Sequence, residues 1–102
     1  MSVVIVTASV QLALDTVEEA LAISLEHVRR SRTEPGCLIH CVSRDAEDPT
    51  RLLFLENWAD RAALQAHFVV PEARRFARAL GAMAESPPDM RTYEAEAFSP
   101  GR

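Results

Sequence analysis

The sequence contains no lysine, and its 11 basic side chains, all arginine, are outnumbered by 15 acidic ones for a net charge of −4. The arginines are dispersed, at positions 29, 30, 32, 44, 51, 61, 74, 75, 78 and 91 among others. No continuous basic stripe forms, which argues against nucleic acid as a partner, because phosphate recognition needs clustered cations. Aromatic residues are scarce, with one Trp, one Tyr and four Phe in 102 residues, so no aromatic-rich binding platform is expected. No apolar run approaches the roughly 18 residues of a membrane span. The opening Met-Ser-Val-Val-Ile-Val has neither a charged n-region nor a cleavage site, so no secretory signal is expected and the cytoplasm is the expected location.

Cysteine is nearly absent too: Cys37 and Cys41 are the only two. On one strand, four residues at about 3.3 Å each hold their Cα atoms about 13 Å apart, beyond the roughly 7 Å that a disulfide spans. Without histidines converging on them they make a poor zinc site, and no metal is expected.

What the chain does contain is apolar residues, 48% of the total, with 25% charged. That is the balance of a globular protein, and the length suits one domain over residues 1–102. Residues 3–12 are rich in β-branched side chains and read as a strand. Asp15 or Thr16 offers an N-cap; from Thr16, Glu19 three residues later forms a capping-box pattern, and a helix runs from there to about Ser31. Its apolar stripe is Val17, Ala20, Leu21, Ser24, Leu25 and Val28. Glu34-Pro35-Gly36 ends it. Residues 37–44 and 51–58 read as strands joined by the turn-rich DAEDPT, hence as an antiparallel hairpin. Asp60 offers an N-cap to a short helix over 61–68, and Pro71 opens another over 71–85, broken by Ser86-Pro87-Pro88-Asp89. Residues 90–98 alternate as a fourth strand. The order is the ferredoxin-like β-α-β-β-α-β pattern of the α+β class: a four-stranded antiparallel sheet with its helices on one face.

Several strands are apolar on both sides. Residues 51–58 set Leu53 and Leu55 against Leu52, Phe54 and Trp58, and the first strand sets Val3 and Ile5 against Val4, Val6 and Val10. Uninterrupted alternation in the second strand groups Cys37, Ile39 and Cys41 against Leu38, His40 and Val42. An apolar face left uncovered by helices marks an interface, so a homodimer joined sheet to sheet is expected.

The stretches SRTEPGCLIH, LLFLENWADRAALQAH, PEARRFARAL and SPPDMRTYE resemble the antibiotic biosynthesis monooxygenase family over about residues 3–97. The sharpest parts are Glu34-Pro35-Gly36-Cys37, Glu56-x-Trp58 with Ala62-Ala63-Leu64, and His67. The resemblance implies a dimeric α+β barrel, with a pocket between sheet and helices in each subunit. It also implies oxidation of aromatic phenols or quinols by molecular oxygen without metal, flavin or haem, as in small quinol monooxygenases. A haem-degrading branch pairs Trp and His with an asparagine in the first strand. Here that strand reads Val6-Thr7-Ala8, which argues against haem degradation.

Trp58 and His67 are the candidate catalytic residues. The indole N–H can bond a substrate oxygen, though it can equally belong to a core residue. His67 shares a helix face with Leu64 and Phe68 and can exchange a proton near neutral pH, or simply bond to backbone. Phe54, Leu64 and Phe76 lie on faces turned toward the implied pocket. His40, Glu56 and Tyr93 are candidate lining residues. Glu56 follows the family motif, either as a pocket base or as a structural acid paired with an arginine. Asn57 faces away from Trp58, and Arg91 could reach the pocket. The leading reading is a cofactor-independent monooxygenase acting on a small aromatic phenol or quinol. The alternatives are a non-catalytic dimer binding a small aromatic molecule and, more remotely, a haem-binding member.

Overall fold

A computed structural model describes residues 2–101. The elements, in chain order, are β1 (Val3–Gln11), α1 (Val17–Ser31), β2 (Cys37–Arg44), β3 (Arg51–Trp58), α2 (Arg61–Phe68), α3 (Pro71–Met83) and β4 (Asp89–Ala95). All neighbouring strands are antiparallel, in the order β2-β3-β1-β4. The ferredoxin-like reading therefore holds, with the second crossover divided into α2 and α3.

The two faces of the sheet differ. On β3, Leu52, Phe54, Glu56 and Trp58 are buried beneath the helices, whereas Leu53 and Asn57 are half-buried and Leu55 exposed on the open face. Most of the buried apolar residues among those described form two clusters. One joins Val10, Leu12, Leu52 and Phe54 to Val17, Ala20 and Leu80; the other joins Val4, Val6 and Trp58 to Leu64. Glu56 lies between Phe54 and Trp58 on the same face, so a carboxylate interrupts the apolar layer where the clusters meet.

Local chemistry explains most of the boundaries. Asp60 accepts a hydrogen bond from the Ala63 backbone N–H at 2.8 Å and starts α2. Pro71 occupies the first turn of α3, where its missing N–H costs nothing. Gly36, at φ 81°, turns the chain from α1 into β2. Thr16 departs from expectation. It is the N-cap of α1, but its hydroxyl donates back to the Ala13 carbonyl rather than capping the helix.

A register shift between Cys37 and Ile39 corrects the face assignment of β2. Cys37 lies opposite Trp58, and Ile39 lies opposite Asn57. The bulge returns Cys37 to the helix side, where it packs on the Trp58 cluster, away from Ile39 and Cys41. Both cysteines are free thiols. Within the described residues no helix is long and apolar enough to cross a membrane.

Candidate functional site

The break between the two apolar clusters is filled by titratable side chains from four elements and one turn. α1 contributes His27 and Arg30, the turn after it Glu34, β2 His40, β3 Glu56, and α2 His67. His40 and Glu56 face each other across the β2–β3 ladder. All three imidazoles are buried, at 7% exposure for His27, 1% for His40 and 4% for His67. Their ring centroids form a near-equilateral triangle with sides of 5.2, 5.3 and 5.5 Å.

Hydrogen bonds fix much of this group. The Trp58 indole N–H donates to Glu56 Oε1 at 2.8 Å. Glu34 is ion-paired to Arg30 at 2.7 Å through Oε2, while its Oε1 lies 2.9 Å from His67 Nδ1. A carboxylate only accepts, so the Nδ1–H of His67 donates to Glu34. Arg30 Nη2 also sits 3.2 Å from His27 Nδ1. The His27 ring lies flat on Phe76, with centroids 3.9 Å apart and planes 8° from parallel. His40 is different. Its carbonyl accepts from Arg32 Nε at 2.9 Å, but neither ring nitrogen has a hydrogen-bond partner. Glu56 Oε1 lies 3.5 Å from Nε2, too far for a good bond.

Burial dominates the electrostatics. It pushes His27 down to about 3, helped by repulsion from His40, His67 and Arg30. Burial likewise pushes His40 down to about 4, with His67, Arg32 and Arg30 adding to the shift. Both rings are therefore neutral at physiological pH. Burial raises the Glu56 carboxyl, opposed by the Trp58 hydrogen bond, which makes its carboxylate a stronger base than a free glutamate.

A cavity of about 200 Å³ opens onto this group. His27, His40, His67 and Glu56 form its polar end, and Phe54 and Phe76 contribute to its apolar wall. Five residues expected from the sequence thus meet at one cavity: His40, Glu56, His67, Phe54 and Phe76. Trp58 does not line it. The indole is completely buried, with ring centroids 4.7 Å from His67 and 6.1 Å from His40, and reaches the cavity through Glu56, His67 and His40. Leu64 packs instead with Val4, Val6 and Trp58. Tyr93 lies opposite Ile5, and Arg91 opposite Thr7, on the open face of the sheet. The register of β4 gives the helix side to Met90, Thr92 and Glu94 instead. Asn57 also faces the open side, as its position next to Trp58 predicts.

His27 and Glu34 join the site without having been expected there. The sequence does carry a signal for His27: it stands three residues after Ser24 and seven after Ala20, on the same helical stripe. The convergence of the three histidines depends on tertiary contacts that helical spacing alone does not reveal.

Residues 3–79 match the antibiotic biosynthesis monooxygenase family. An uncharacterised protein of Synechocystis is 30% identical over 91 residues, covering 89% of this chain; the chain spans about three-fifths of that relative, 62% of its length. Among solved structures, an antibiotic biosynthesis monooxygenase superposes with a TM-score of 0.81 at 27% identity, covering 94% of this chain and 99% of the other. A protein of Pseudomonas aeruginosa gives 0.85 at 25% identity, covering 95% and 97%. A Deinococcus radiodurans candidate for the same family gives 0.89 at 24% identity, covering 94% and 96%, a likeness of fold. With the family match over most of its length and the same sheet-and-helix architecture, the chain belongs to the antibiotic biosynthesis monooxygenase family.

Proposed function

We propose that the protein is a monooxygenase acting on a single-ring phenol or hydroquinone, with Glu56 as the proton acceptor and His67 positioning the substrate oxygen. The observation that carries this reading is the cavity, apolar on its walls and closed at one end by Glu56 and the three imidazoles. Its 200 Å³ suits one ring, since an apolar cavity of about 150 Å³ already takes benzene. Glu56 removes the phenolic proton, and Trp58 holds the carboxylate in place from behind. The electron-rich anion then reacts with oxygen in a water-poor site. For a hydroquinone the balance closes without an external reductant: one hydroquinone and one molecule of oxygen give one hydroxyquinone and one water. The ring supplies all four electrons and loses two hydrogens to the water. One oxygen atom enters the ring and the other leaves as that water. The family assignment supports monooxygenase chemistry.

The open sheet face supports pairing of two copies. It presents Ile39, Leu55 and Tyr93, each at least 40% exposed, beside half-buried Val3, Ile5 and Leu53, and covering them with a second sheet removes that apolar surface from water.

The test is oxygen uptake with a panel of monocyclic hydroquinones under ¹⁸O₂, with mass analysis of the product. One ¹⁸O per hydroxyquinone and at least a hundredfold loss in Glu56→Gln are expected. Uptake no faster with the wild type than with Glu56→Gln and His67→Ala would refute the reading. A ligand that raises Tm without consuming oxygen would favour the non-catalytic binding reading.

A further inference from the structure

We infer that His27, His40 and His67 form a binding site for one first-row divalent metal ion, with its open coordination positions directed into the cavity. One nitrogen from each ring lies within 4.8 Å of the others. Three imidazoles on a tetrahedral ion, at metal–nitrogen distances of 2.0–2.1 Å, have ring centroids about 5 Å apart. The observed separations of 5.2, 5.3 and 5.5 Å already match. Ring rotation, rather than backbone movement, is what remains to bring the nitrogens inward.

The supports around the rings fit that task. Glu34 accepts a hydrogen bond from the Nδ1–H of His67, which leaves Nε2 as the nitrogen available to ligate, the carboxylate–histidine arrangement that orients metal ligands. Phe76 holds the plane of His27 by stacking. His40 is the independent sign of a missing ligand. It is 1% exposed, both ring nitrogens lack partners, and leaving such groups unsatisfied costs free energy that a native fold seldom concedes. Turning its ring toward an ion therefore breaks no hydrogen bond. Binding asks for one exchange: whichever His27 nitrogen ligates, the 3.2 Å contact from Arg30 to His27 Nδ1 is given up, while Arg30 keeps its ion pair with Glu34. Glu56 Oε1, 3.5 Å from His40 Nε2, supplies a nearby negative charge. Neutral imidazoles suit zinc, copper, nickel, cobalt and ferrous iron, and discriminate against magnesium and calcium, which prefer oxygen.

This inference is tested separately from the oxidation reading, because its readout is occupancy; with an ion bound, His67 is committed to it, so the role of His67 in positioning the substrate oxygen belongs to the metal-free protein. Tag-free protein is titrated with Co²⁺ and Zn²⁺ at pH 7.5 by calorimetry, and the visible spectrum of the Co²⁺ form is recorded. The expected result is one ion per chain, with the intense absorption of a four- or five-coordinate Co²⁺ centre. His40→Gln should lose at least a hundredfold in affinity. Glu34→Gln, which leaves all three imidazoles in place, should lose about tenfold. Failure of the wild type to take up either ion at 100 µM (about 5.5 kcal/mol of binding at that level) overturns the inference. So does equal binding by His40→Gln, which would place the ion on the surface. Circular dichroism of each variant separates a lost site from a lost fold.

Discussion

Replacing Gly36 with alanine tests whether the turn between α1 and β2 is packed as tightly as the structure shows. Two independent costs arise there. Gly36 has φ 81°, and an L-residue in that left-handed region costs about 1–2 kcal/mol. A Cβ at this position would also lie 2.6 Å from the Ala63 Cβ, and relieving such an overlap in packed surroundings costs about 1–3 kcal/mol. The smaller entropy of unfolded alanine returns about 0.4–1 kcal/mol. The net expectation is a loss of about 2–4 kcal/mol, read as a fall in urea midpoint and a Tm lower by at least 8 °C or so in a domain of this size. A double-mutant cycle separates the two costs. Ala63→Gly alone should cost about 1 kcal/mol, the penalty of glycine within a helix. Combined with Gly36→Ala it should recover the steric part and leave the conformational part, giving a favourable coupling of about 1–3 kcal/mol. Coupling within about 0.5 kcal/mol of zero would show that α2 does not rest on this turn and would refute the packing argument.

Stability should also fall with acidification. His27 and His40 have folded pKa values depressed to about 3 and about 4, so below about pH 6.5 the unfolded chain binds protons that the folded chain refuses. Between pH 7.5 and pH 5 each contributes a loss of about 2 kcal/mol. The raised Glu56 acts in the opposite sense, favouring the folded state at low pH and losing that contribution as pH rises through its folded value, so the net loss should be less than about 4 kcal/mol. Urea unfolding at the two pH values measures it, and an equal or higher midpoint at pH 5 would contradict the burial of neutral imidazoles. Leu55→Arg on the open face should convert a particle of twice 11.3 kDa into one of 11.3 kDa in sedimentation equilibrium at micromolar concentration; a wild type that already sediments as a single chain would remove the pairing argument.

Much of the fold is legible in the sequence because its signals are local. The strands over 37–44 and 51–58 end where the turn residues begin, and Asp60 and Pro71 announce the two helices that follow. Period-two patterning also places Phe54, Glu56 and Trp58 together on the buried side of β3. Apart from Thr16, whose hydroxyl turns to the nearby Ala13 carbonyl, what departs from expectation depends on partners distant in sequence. The bulge at Cys37 is invisible to alternation, because it answers to pairing with Trp58. Tyr93 falls on the open face rather than at the cavity because an alternating strand has two faces, and only the register against β1 says which is covered. A histidine in an apolar stripe, as His27 is, announces nothing until His40 and His67 are brought within reach by β2 and α2.

The same group of residues bears on why this core is built as it is. An apolar side chain at position 40 would fill the junction between the two clusters without leaving buried nitrogens unpaired, and a lone unpaired group costs about 1–3 kcal/mol. Buried polar groups of this kind are often replaceable by apolar ones without loss of stability. The architecture therefore does not require three imidazoles and a carboxylate here. Stability concedes something to place them on one cavity, and concessions of that kind concentrate where a protein binds or reacts. The turn that carries Gly36 joins the two demands. It sets Glu34 against His67 on one side and seats α2 on the other. A perturbation at Gly36 should thus disturb the orientation of His67 as well as the packing beneath it, and the loss of binding or turnover should exceed what the fraction of unfolded chain explains.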